Sequence, residues 1–157
     1  LRAATNAALG VVAQRCPWSD LNDAVAIVDQ RAVSVAGYCA AIAEATAELL
    51  TLPSFADVNA DVARSGALLC RADLALLYEP GEVHQARASS QRALFAVGQL
   101  GALIASAAGC PDEVLHVIYY TSPDFKLAPR TAEGRLVHSA IELAGDRGRM
   151  ASGGSRL

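Results

Sequence analysis

The stretch LNDAVAIVDQRAVSVAGYCAAIAEATAEL, residues 21–49, decides how the chain folds. In it Leu21, Val25, Val28, Ala32, Val35, Cys39, Ile42, Thr46 and Leu49 recur in alternating steps of four and three. That spacing draws one apolar seam along a helix and calls for a partner helix on the same face. The reading predicts a single helix of roughly 45 Å, at about 1.5 Å per residue. Ser19 or Asp20 caps its start and Pro53 follows its end.

Turn signals divide the rest of the chain. CPWSD (16–20), LPS (52–54), EPG (79–81), GCPD (109–112) and SPDFKLAPRT (122–131) each carry Pro or Gly beside a capping residue. A second helix starts at Ser54 and repeats the seam through Phe55, Val58, Val62, Ser65, Leu69, Ala72 and Leu76, antiparallel to the first. A third runs over 82–108 with Leu94, Val97, Gly101, Ile104 and Ala108 on one stripe. EVLHVIYYT (113–121) is rich in β-formers, but Pro111, Asp112 and Glu113 make a good helix first turn and predict a helix. The predicted fold is all-α: an antiparallel helical bundle of three long helices plus shorter flanking helices near 1–15, 112–121 and 132–145. Residues 1–145 form one helical domain and 146–157 a flexible C-terminal tail.

Composition narrows the function. Of 157 residues, 53% are apolar and 18% charged, and the abundance of alanine favours close helix packing over a pleated sheet. Net charge is −3 with no basic cluster, which argues against a nucleic-acid partner. Residues 93–110 carry no charge, yet Gln99, the glycines and Pro111 make this run a buried bundle helix rather than a membrane span. Cys16, Cys39, Cys70 and Cys110 form no CxxC pair and read as free thiols in a reducing compartment, cytoplasm or organelle matrix. The terminal Ser155, Arg156 and Leu157 weakly suggest a peroxisomal address.

The motifs that could carry chemistry are sparse. His84, Arg87, Ala88, Ser89 and Ser90 resemble the phosphoacceptor motif of histidine phosphotransfer domains, in which Arg87 would face the phosphoryl oxygens. Ala88 stands at that family's glycine, and His84 lies in a first helical turn, so an exposed polar turn is the preferred reading. Asp57, Asn59 and Asp61 imitate the start of a calcium loop, but Val62 and Leu68 occupy its glycine and glutamate positions. Glu44 and Glu48 lack the Glu-x-x-His partners of a di-iron site, and His116 and His138 read as structural. No cofactor or metal is expected. With more apolar surface than such a bundle hides, the chain is expected to work as a small interaction subunit or adaptor packed against a partner protein or its own copy. Val114, Tyr119, Tyr120, Phe95 and Leu103 are the interface candidates. The alternatives are a small-molecule-binding helical enzyme and, behind it, phosphotransfer on His84 with Arg87.

Overall fold

The computed structural model describes residues 1–154, with side chains at residues 1–83 and 85–148. These residues are mostly helical, as predicted, but two short antiparallel hairpins interrupt the helices. Along the chain run α1 (Arg2–Arg15), β1 (Val25–Val28), β2 (Arg31–Ser34), α2 (Val35–Leu49), α3 (Ala60–Leu69), the one-turn α4 (Leu74–Leu77), β3 (Tyr78–Pro80), β4 (Ala86–Ala88), α5 (Ser90–Leu94), α6 (Gln99–Ala107), α7 (Asp112–Tyr120) and α8 (Ala132–Gly154).

The single helix predicted over 21–49 is corrected. Its first half is a hairpin in which Val25 faces Ser34 and Val28 faces Arg31. Asp29 and Gln30 make the two-residue turn with φ of 49° and 65°. Two successive left-handed residues match the twist of the strands they join. Val25, Ile27, Val28, Val33 and Val35 concentrate β-branched side chains here, and these lose rotamer freedom in a helix but fit a pleated strand. The helix that does form is α2. Ser34 caps it, accepting a hydrogen bond from the Gly37 N–H at 3.3 Å, and the Val35 N–H donates to Ala24 O at 2.9 Å.

The other two long helices are also broken. Residues 53–55 make one 3₁₀ turn, and α3 starts only after Asn59, whose side-chain oxygen accepts from the Asp61 and Val62 N–H groups. The 82–108 helix is replaced by the β3–β4 hairpin, α5 and α6. Gly98, at φ 87°, precedes α6; a Cβ there would sit 2.9 Å from Ile118 O. The fold is therefore not a three-long-helix bundle. Helices α1, α7 and α8 lie where predicted, and α8 continues from residue 145 to 154, into the segment expected to be a flexible tail. Ser155, Arg156 and Leu157 lie outside the described residues.

Helix α3 is central, packed by α1, α2, α7 and α8, and α6 joins α1 to α7. Ile42, Leu69, Val117, Ile118 and Leu136 fill this first core. Gly66 lets α3 and α7 approach closely, since a Cβ there would meet Val117 Cβ at 2.8 Å. A second core of Val12, Ala26, Val35, Leu74, Leu77 and Val97 lies beneath the hairpins.

Candidate functional site

Residues 69–77, LCRADLALL, are buried without a break, although two of them are charged. The chain leaves α3 at Leu69 and re-enters a helix at Leu74, so Arg71 and Asp73 are carried into the interior on the connection. Arg71 is 4% exposed. It donates to Cys70 O at 3.2 Å and to Thr121 O at 2.9 Å. Among the described residues no carboxylate forms an ion pair with it.

Asp73 is fully buried and does a different job. Its Oδ2 accepts from the Gly98 N–H at 2.8 Å and the Gly101 N–H at 3.0 Å, capping α6 from a distant part of the chain. Glycine at 98 has no side chain to cap with, so the carboxylate takes that role. Oδ1 has no partner among the described residues. Burial pushes the Asp73 carboxyl up to about 6, against the two N–H groups and Arg71, which pull it down.

Beside Arg71 lies a cleft of about 400 Å³, lined on its polar side by Arg71, Arg92, Asp124, Tyr38 and Tyr78. Arg92 and Asp124 pair at 3.0 Å, and Asp124 also accepts from the Val97 N–H at 2.8 Å. Burial alone would raise Asp124; the Val97 N–H and Arg92 outweigh it and hold the carboxyl below its ordinary value. The Tyr78 hydroxyl donates to Ile27 O at 3.2 Å, and the Trp18 indole donates to Tyr78 O at 3.0 Å, tying both hairpins to the cleft wall.

A second, larger groove of about 690 Å³ runs between α1 and α6. Its floor is apolar and small: Ala7 and Val11 from α1, and Leu100, Ile104 and Ala107 from α6. Leu103 stands at it 55% exposed, and Arg15, Glu79 and Gln91 supply polar groups around it.

The predicted site residues separate sharply. Leu103 lies on the groove. Val114 is fully buried in the first core, so it presents no surface to a partner. Tyr119 and Tyr120 are half-buried in an aromatic set: Tyr120 stacks on His116 at 4.2 Å and Tyr119 tilts against Phe125 at 5.0 Å. Phe95 is half-buried against the second core. Arg87 is exposed and paired with Glu79 at 2.9 Å, on strand β4 rather than a helix, while the side chain of His84 lies outside the described residues. The helical setting of the phosphoacceptor resemblance is therefore absent.

His116 is half-buried and hydrogen-bonded: its Nε2 accepts from the Arg130 N–H at 3.1 Å, and burial with Arg130 nearby lowers its pKa. His138 is exposed beside Glu142 at 3.2 Å. Glu48 pairs with Arg147, and all four cysteines are free. Among the described residues no three His, Cys, Asp or Glu side chains converge as metal ligands, and no helix is long and apolar enough to cross a membrane. Sequence reasoning passed over Arg71 and Asp73. The available signal was two charges inside an otherwise apolar run, where unpaired charge is costly. Comparison of the chain with protein-family models, curated proteins and solved structures finds no match.

Proposed function

We propose that the chain is an interaction subunit or adaptor whose α1–α6 groove takes up the apolar face of an amphipathic helix from a partner protein. The observation that supports this reading is the groove itself, with the exposed Leu103 beside a floor of alanines and short aliphatic side chains. Small floor residues let a partner backbone come close, and a helix in such a groove anchors through side chains spaced three or four apart. Arg15 borders the groove, which suits an occupant with an acidic group on its flank. The four free thiols fit residence in a reducing compartment.

Extracts of cells that make the protein provide the test. On size exclusion the wild-type chain is expected to elute well above its 16.3 kDa, and Leu103→Glu and Ala107→Glu to elute as the folded monomer. Both residues are exposed, so neither change should lower the melting temperature. A wild-type chain that elutes with the variants would overturn the proposal.

A further inference from the structure

The cleft beside Arg71 shares no lining residue with the groove, and its chemistry is different. A guanidinium has five N–H donors, and Arg71 spends two hydrogen bonds on the carbonyls of Cys70 and Thr121. Among the described residues the remaining donors have no protein acceptor. Arg71 is 4% exposed, so bulk water does not serve it freely either. The carbonyl bonds fix the plane of the group, and Arg71 is among the residues that line the cleft. A planar fork held in this way matches a carboxylate, which can accept two parallel hydrogen bonds from it.

The remaining walls select among anions. Asp124 borders the cleft with its charge committed to Arg92 and the Val97 N–H, and Asp29 borders it from the hairpin turn. Two carboxylates facing the space oppose a doubly charged phosphate more than a single negative charge. Val28, Leu74, Val97 and Ile141 make the rest of the wall apolar, and Tyr38 and Tyr78 add aromatic surface. At about 400 Å³ the space falls within the range of small-ligand sites.

We infer that this cleft binds a small monocarboxylic acid with an apolar body, its carboxylate on the Arg71 guanidinium and its body against Val28, Leu74 and Ile141. Such a ligand supplies the acceptor that Arg71 lacks and covers apolar wall that is otherwise wet.

Titration calorimetry with 3-phenylpropionate tests this, alongside inorganic phosphate and phenethylamine as probes of the other charge classes. Trp18 is the sole tryptophan and is bonded to Tyr78, so its fluorescence gives a second readout of cleft occupancy. Saturable binding of 3-phenylpropionate is expected, with phosphate and phenethylamine silent. Arg71→Lys keeps the charge but loses the fork, and should weaken binding about tenfold or more. Arg71 is buried and that variant could fail to fold, so Val28→Trp carries an independent test. Val28 is half-buried at the hairpin end, where a larger side chain fills the cleft and should abolish binding with the fold intact. The inference is overturned if the wild-type protein does not bind 3-phenylpropionate. It is equally overturned if phosphate or phenethylamine binds in its place, or if a folded Val28→Trp binds unchanged.

Discussion

The Asp73 carboxylate gives up its own hydration to cap α6, and its Oδ1 is left without a partner among the described residues. Its folded-state pKa of about 6 lies above the ordinary 3.8, so the folded chain holds the proton more tightly than the unfolded chain. Stability from this group is present below pH 4 and is lost as pH rises through about 6, a change of about 3 kcal/mol at most. Asp73→Asn can keep its oxygen on the two N–H groups and place an uncharged amide where Oδ1 stands. Denaturant unfolding from pH 4.5 to 7 should therefore show wild type losing stability relative to Asp73→Asn, with the variant equal or better at pH 7. A variant less stable by a constant amount at every pH would refute this account of Asp73. Thr46 makes a related case: it is fully buried and its Oγ1 has no partner among the described residues. Thr46→Val should raise stability by about 1 kcal/mol, read from the shift of the unfolding midpoint. Gly66→Ala should act the other way, costing about 1–3 kcal/mol, because its Cβ would overlap Val117.

At the scale of elements, the first hairpin makes a prediction of opposite sign to the helix it replaces. Gln30 sits at φ 65°, where glycine is favoured, so Gln30→Gly should stabilise the protein by about 1 kcal/mol. In a helix interior the same change would destabilise by about that amount. The sign of the change in melting temperature separates the two. Helices α7 and α8 are legible because turn residues precede each and an acidic residue stands in its first turn, and α1 because the Cys16–Pro17 turn ends it. The 21–49 segment was not, because a four-three spacing of small and branched residues also accommodates two short strands. Its turn, Asp29 and Gln30, lacks the glycine that usually marks such a hairpin. The 82–108 segment hid strand β4 and the break before α6 for a similar reason. Leu94, Val97 and Gly101 keep helical spacing in sequence, yet the left-handed Gly98 stands among them. Of the interface candidates, Leu103 is exposed on α6 and lines the groove. Val114 is buried because α7 packs against α3, α6 and α8 and so buries more than one face. Arg71 and Asp73 escaped notice because the buried turn joining α3 to α4 has no periodicity to reveal it.

Across the whole molecule, the two cores leave different surfaces between them. The helices around α3 close on one another, while α1 and α6 meet over small residues and leave the groove. The hairpins close over the second core and, with Arg71, form the polar cleft. Asp73 links the two regions, because it caps the helix that supplies one wall of the groove. Occupancy of that groove by a partner helix is the central claim, and photo-cross-linking inside cells that make the protein tests it most directly. A benzophenone amino acid placed at Leu103 should give an adduct with one polypeptide, attached through an amphipathic helical segment. The same group at the exposed Glu44 on α2 should give no such adduct. Equal labelling at both positions, or no polypeptide adduct at Leu103, would contradict the claim.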